Sequence, residues 1–303
     1  MIEELIQKAK ILQSALPYIR KFYGKTFVVK YGGSAMLEES LRESFAKDVL
    51  LLRYTGIKVV VVHGGGPQIS AALEKFGIKS TFVGGLRKTD QETMHVVEMV
   101  LSGDINKDIV ALINKHSGEQ IYAVGLSGRD GNLIRAKKLN KEEYFREIGL
   151  EVPREDIGFV GEVLSVNTHL LQALMDNGYI PVIAPVGVGE DGQAYNINAD
   201  IVASEVARYT KAEKLLFLTD TEGIKDKDGK TISSLSREEA YRLISEGTIK
   251  GGMIPKVKSA LRALQEGVGK VHIVDGRIPH SILLEIFTEE GVGTEIVNQR
   301  SMD

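Results

Sequence analysis

The chain has 303 residues, enough for one large α/β domain or two lobes sharing a sheet. Its 38 Lys and Arg against 41 Asp and Glu leave a net charge of -3, which argues against the basic field of a dedicated nucleic-acid binder. With no cysteine, disulfides, iron–sulfur clusters, thiolate metal sites and cysteine nucleophiles are excluded. Glycine is abundant, at 32 residues against 7 prolines, and forms no low-complexity tract, so it belongs to turns or to backbone facing a ligand. The N-terminus is charged and no run approaches the ~18 apolar residues of a membrane span, so a cytoplasmic protein with no membrane partner is expected.

Ile2, Leu5, Ile6, Ala9, Leu12, Leu16 and Ile19 recur at helical spacing, and Pro17 is expected to end or kink that helix. A buried strand follows at 27–29, then a helix at 41–54, a strand at 59–62 and a helix at 68–76. Residues 81–89 are rich in turn formers. Two helices, 90–101 and 104–116, precede a strand at 120–124. Residues 135–162 are polar without clear periodicity. Strands at 163–166 and 180–183 flank a helix at 168–177. A helix at 200–209 leads to a strand at 215–218. Helices at 237–246, 255–266 and 280–287, with a strand at 271–274, complete the alternation. It describes a mainly parallel sheet covered on both faces.

Three chemical signals fail on inspection. Gly24, Lys25 and Thr26 end like a phosphate-binding loop, but Ile19 stands where that loop needs glycine. No G-x-G-x-x-G follows an early strand. Asp226, Asp228 and Gly229 lack the other ligands of a calcium loop and read as a surface turn.

The remaining signals pair glycine with charge at strand ends. Lys30 precedes Gly32 and Gly33, reading either as an anion site or as a solvated charge beside a tight turn. Gly64, Gly65 and Gly66 stand at a helix start, where free N–H groups and the helix dipole bind anions. Three glycines exceed what a turn needs. Neighbouring His63 reads as structural, not as a base. Arg87 follows Gly84 and Gly85 and is either a carboxylate fork or a surface ion pair. Asn196, Asn198 and Asp200 open a helix, where any one can be a cap. Gly251, Gly252 and Lys256 form a second glycine–lysine element, or a mobile loop with a solvated lysine. Together they describe a phosphoryl-transfer site, which needs dispersed positive charge and backbone donors more than a nucleophilic side chain.

In this order, and with residues 219–224, these motifs resemble the amino-acid kinase family along one continuous domain of about 25–297. The resemblance implies a three-layer αβα sandwich with a mainly parallel central sheet and two lobes. Residues 21–210 would bind N-acetyl-L-glutamate and dimerise; residues 211–303 would bind ATP. The implied reaction is ATP-dependent phosphorylation of the γ-carboxylate of N-acetyl-L-glutamate, the second step of arginine biosynthesis. Lys30, Lys256, Asp200 and Gly33 would act in catalysis, and Gly64, Gly65, Gly66, Arg87 and Asn196 in holding the substrate. Gly32, Asp220, Thr221, Glu222, Gly223, Ile224, Lys225, Thr248, Ile249 and Lys250 would line the nucleotide. No metal would be fixed by protein alone; Mg2+ would arrive with ATP near Asp200.

Residues 1–20 and the tail further resemble the arginine-inhibited branch of the family. There the N-terminal helix joins three dimers into a homohexamer, and His272, Glu285 and Gly291 would contact arginine. The competing reading of residues 1–20 is a helix packed on its own subunit. For function, the alternatives are a sister kinase for N-acetyl-2-aminoadipate or another acidic acyl amino acid, and a non-catalytic amino-acid sensor. Retention of Lys30, Asp200 and Lys256 together argues against the sensor.

Overall fold

The computed structural model describes residues 2–120 and 122–299. Ile121, inside the strand expected at 120–124, lies outside them, as do Met1 and residues 300–303 at the ends of the expected lobes.

Eight strands form the main sheet: β1 Thr26–Tyr31, β2 Lys58–His63, β3 Ala123–Ser127, β4 Ile180–Ala184, β5 Lys214–Thr219, β6 Ser234–Ser236, β7 Lys270–Asp275 and β8 Thr294–Val297. Their order is β6-β8-β7-β5-β1-β2-β4-β3. Every pair is parallel except β7 with β8. Side chains alternate across the pleat, so one strand feeds two cores. Phe27, Val29, Val59 and Val61 enter one core, and Val28, Val60 and Val62 the other. The helices Glu39–Tyr54 and Asn106–His116 close the first; Ala199–Tyr209 and Met253–Gln265 close the second. This is the expected three-layer αβα sandwich. Among the described residues no helix is long and apolar enough to cross a membrane.

A four-stranded sheet, in the order Ala194–Asn196, Val186–Val188, Ile134–Lys138, Gly161–Val166, and a hairpin of Phe82–Val83 with Leu86–Arg87 sit beside the main layers. Leu86, Leu139, Phe145, Ile157 and Val160 pack between them as a small third core.

The break expected near Pro17 is present: the first helix stops at Ser14, and Pro17 lies in the first turn of a second helix, Leu16–Phe22, where its missing N–H costs no hydrogen bond. Three expectations are corrected. The helices expected at 90–101 and 104–116 do not part at Gly103. A π-helical stretch, Met99–Ile105, carries one into the next. Residues 135–162 contain a strand and a helix, Lys141–Glu147, whose seven residues bury only Phe145 and so leave no readable period. The strand near 120–124 runs from Ala123 to Ser127 instead.

Register brings the site together. Lys30 lies beside Val62 on one side and Phe217 on the other, and Tyr31 lies beside His63. The loops leaving β1, β2 and β5 therefore emerge along one edge of the sheet, the carboxyl edge on which open α/β sheets bind ligands.

Candidate active site

The centre of that edge is Asp200. Asn198 takes the capping role at the start of its helix, accepting from the N–H groups of Asp200 at 2.8 Å and Ile201 at 3.4 Å. This leaves the Asp200 carboxylate free for other partners. Its Oδ2 lies 2.5 Å from Lys256 Nζ and its Oδ1 lies 3.3 Å from Lys30 Nζ. Burial alone would raise the Asp200 pKa, but the charges of Lys256 and Lys30 outweigh it and hold the carboxyl below the usual range. Burial pushes Lys256 below the ordinary lysine value, opposed by Asp200. Two ammonium groups face the Asp200 carboxylate, with the Asp220 charge also felt at Lys256, and the ammonium pair gives an anionic ligand a partner. Gly32 makes room for this arrangement: a Cβ there would stand 2.4 Å from Lys30 Nζ.

Lys30, Gly32, Gly33, Gly64, Gly65, Gly66, Arg87, Asn196 and Asp200 all line one cavity of about 220 Å³. Lys256 reaches it through Asp200, and its ammonium group also lies 5.1 Å from the Phe217 ring centre.

Arg87 is buried and lines the same cavity. Its Nη2 donates to the Gly66 carbonyl at 2.8 Å and to Ser70 Oγ at 3.0 Å, and its Nη1 donates to Ser80 Oγ. The guanidinium carbon lies 4.5 Å from the Phe82 ring centre. Three neutral acceptors and an aromatic face orient the fork, yet among the described residues no carboxylate pairs with it. A buried cation without a counter-charge favours an anionic ligand. Asn196 stands nearby, its Nδ2 donating to Thr89 Oγ1 at 3.2 Å.

The expected nucleotide segments stand outside that cavity. Asp220 is drawn to the β1 loop, where its Oδ1 accepts from Ser34 N at 2.8 Å and Ser34 Oγ at 2.7 Å. Gly33, with φ of +76°, passes so close that a Cβ would meet the same oxygen at 2.5 Å. Thr221 and Glu222 are exposed, and Glu222 pairs with Lys225 at 3.0 Å. Gly223 passes against Thr294, whose Oγ1 accepts from Ile224 N at 2.8 Å. Ile224 and Ile249 turn their side chains into one core, leaving only backbone at those positions for a ligand. Lys250 is exposed, and the buried Thr248 Oγ1 finds no partner among the described residues.

His272 and Glu285 form a separate buried pair, with the half-buried Gly291 beside them. His272 Nδ1 lies 2.6 Å from Glu285 Oε1, and Glu285 Oε2 accepts from Val292 N at 2.8 Å and Gly293 N at 3.0 Å. A Cβ on Gly291 would stand 2.8 Å from that oxygen. Lys214, which sequence reading missed, completes the cluster: its Nζ is 2.8 Å from His272 Nε2 and 5.3 Å from the ring centre of Phe22 on the second N-terminal helix. Burial lowers the Lys214 pKa to about 8. Sequence reading also missed Ser34, Ser70, Ser80, Phe82 and Thr89. Only Ser34 carries a local signal, by following Gly33 directly.

The Amino acid kinase family matches residues 25–275. Acetylglutamate kinase of Aquifex aeolicus (strain VF5) is 70% identical over 97% of this chain and 99% of its own. Acetylglutamate kinase of Persephonella marina (strain DSM 14350 / EX-H1) is 60% identical over 98% of this chain and 100% of its own. Among solved structures, N-acetylglutamate synthase from Neisseria gonorrhoeae, complexed with coenzyme A and N-acetyl-glutamate, matches with a TM-score of 0.83 at 27% identity. That match covers 96% of this chain, which spans 64% of the synthase's length. Carbamate kinase from Giardia lamblia, with a TM-score of 0.67 at 20% identity over 91% of this chain and 99% of its own, shares the fold. With the family matched over most of its length and relatives this similar end to end, the chain belongs to the amino acid kinase family.

Proposed function

We propose that the chain transfers the γ-phosphoryl group of ATP to the side-chain carboxylate of N-acetyl-L-glutamate, releasing ADP and N-acetyl-L-glutamyl 5-phosphate. The observation that carries this reading is one cavity with both a buried, unpaired Arg87 and the Lys30–Asp200–Lys256 cluster. A diacid with one carboxylate to anchor and one to react suits two positive centres lining one cavity. The relatives named acetylglutamate kinase support the same substrate.

In this reading Arg87 grips the α-carboxylate, and Asn196 with Gly64 and Gly66 bounds the substrate. The attacking group is already a carboxylate, so no general base is needed, and positioning with electrostatics supplies the rate. Lys30 and Lys256 neutralise charge on the migrating group, Asp200 holds both in place, and the N–H groups of Gly33 and Gly65 donate to phosphoryl oxygens. ATP lies along residues 220–225 and 248–250 with Gly32, in a C-terminal lobe of residues 211–303; residues 21–210 form the substrate lobe. Both Asp200 oxygens already face ammonium groups, and among the described residues no cluster of three metal-ligating side chains exists, so this donor set fits Mg2+ only as the nucleotide brings it. When bound there, Mg2+ would supply further neutralisation of phosphate charge beside Asp200.

We further propose that arginine inhibits the enzyme at His272, Glu285 and Gly291, and that residues 1–20 build a homohexamer. The helix Ile2–Ser14 supports the second point: it buries no residue, and Ile2, Leu5, Ile6, Ile11 and Leu12 are all exposed. The related synthase has also been solved complexed with L-arginine, with a TM-score of 0.82 at 27% identity.

Trapping the acyl phosphate with hydroxylamine tests the reaction. Product should require ATP and N-acetyl-L-glutamate, should be scarcer with N-acetyl-2-aminoadipate, and should fall when arginine is added. Equal or greater turnover of the aminoadipate would replace the proposed substrate, and product with neither would remove the kinase reading.

A further inference from the structure

His63 takes no part in the chemistry above, yet it is completely buried at the end of β2, one residue before the triple glycine. Its ring nitrogens have different partners. Nδ1 lies 2.9 Å from the Gly64 carbonyl oxygen, and Nε2 lies 3.2 Å from Asn106 Nδ2. A carbonyl only accepts, so Nδ1 carries the proton and Nε2 accepts from the Asn106 amide. Asn106 is itself fixed: its Nδ2 donates to the Val182 carbonyl at 2.9 Å, and its Oδ1 accepts from Lys107 Nζ at 3.0 Å. Burial lowers the His63 pKa to about 4, so the ring is neutral near pH 7 and both hydrogen bonds stand.

The Gly64 carbonyl and the Gly65 N–H belong to one peptide unit. Cis peptide bonds are absent among the described residues, and in a planar trans unit the two groups point in opposite directions. Tying the carbonyl to buried His63 therefore turns the Gly65 N–H the other way, toward the cavity that Gly65 lines. Among the described residues that N–H has no acceptor. The π-helical stretch backs the same residue: a Cβ on Gly65 would stand 2.4 Å from Ile105 Cδ1 and 2.8 Å from Leu101 Cδ2. Asn106 follows that stretch directly. The irregular segment thus supplies the packing behind Gly65, and the residue right after it supplies the amide that orients His63.

We propose that His63 and Asn106 are positioning residues that lock the Gly64–Gly65 peptide, so that the Gly65 N–H is a preorganised donor to the transferring phosphoryl group. The proposal rests on the kinase reading above, with Gly65 at the reacting oxygens. Its force is that a donor already aimed needs no reorganisation during the reaction.

Two substitutions and one spectrum test it. His63→Asn places an amide N–H near the Nδ1 position, whereas His63→Gln places one near Nε2. His63→Asn is expected to retain kcat within about threefold, while His63→Gln loses about tenfold to a hundredfold with the KM for ATP little changed. A role in packing alone predicts no such order, because Gln fills the imidazole volume better. Gln matching or exceeding Asn would overturn the proposal. The 15N spectrum of the unmodified protein's imidazoles should show His63 as the neutral Nδ1–H tautomer across pH 6–9, a range of about three units around the ordinary histidine value. An Nε2–H tautomer would overturn the proposal even if the variants fail to fold. A wild-type protein inactive with N-acetyl-L-glutamate would instead sink the kinase reading, and the spectrum would still decide the tether.

Discussion

Arg87 shows what one residue's surroundings add to its sequence. A glycine pair beside an arginine left a carboxylate fork and a surface ion pair equally open. Burial against Phe82, with only neutral oxygens as partners, removes the surface ion pair and supports the proposed fork. Ser70 and Ser80 were not legible because they reach Arg87 through the fold and carry no local pattern. Arg87→Ala should raise the KM for N-acetyl-L-glutamate by about tenfold to a hundredfold, the worth of a charge-assisted hydrogen bond, while the KM for ATP stays near normal. Steady-state kinetics with each substrate varied will show it, and an unchanged KM for the acid would remove Arg87 from substrate binding. Asp48 offers a residue-scale test of electrostatics away from the site. Burial raises its pKa from 3.8 to about 6, partly offset by the hydrogen bond to His280 at 2.7 Å. The folded state thus keeps a proton that the unfolded chain has released between those values, so stability falls as pH rises through that window. Above about pH 6 the cost of the buried charge is fully present. Asp48→Asn should accordingly gain stability at pH 8 relative to pH 4.5, on the order of 1 kcal/mol. Thermal melts at both values check the sign, and an equal shift at both would discount burial as the cause.

At the scale of elements, the long apolar strands were legible because β1 and β2 bury both faces and read as unbroken hydrophobic runs. The Ile134–Lys138 strand and the seven-residue helix after it were not, since neither spans enough residues to establish a period. The π-helical stretch was also invisible: the sequence leaves a gap between helices ending at 101 and starting at 104, whereas the helix runs through it with Leu101 and Ile105 close against Gly65. The helix Ile2–Ser14 carries the opposite lesson. Its apolar stripe was plain, but the stripe faces solvent in the single chain. On the proposal of an N-terminal oligomerisation helix, full-length protein should sediment as a hexamer inhibited by arginine, and deleting residues 1–20 should leave smaller, arginine-insensitive assemblies that still turn over acetylglutamate. Truncated protein with unchanged size and inhibition would assign that stripe another role.

Across the whole molecule, the sheet order places the loops after β1, β2 and β5 side by side although β5 starts more than 150 residues after β2 begins (214 against 58). Glycine clusters marked the loops after β1 and β2 in the sequence, and the family resemblance marked residues 219–224 after β5, but only the register shows that they converge. The near-neutral net charge fits the same arrangement, with positive charge concentrated around Asp200 and Arg87. In the proposed reaction this concentrated charge drives phosphoryl transfer to a bound carboxylate. The most direct test compares wild type with Lys30→Ala in hydroxylamine-trapped acyl phosphate formation at saturating ATP and N-acetyl-L-glutamate. Lys30→Ala should lose about a hundredfold or more in kcat, as for removal of one transition-state donor. Near-normal turnover in the variant would contradict it.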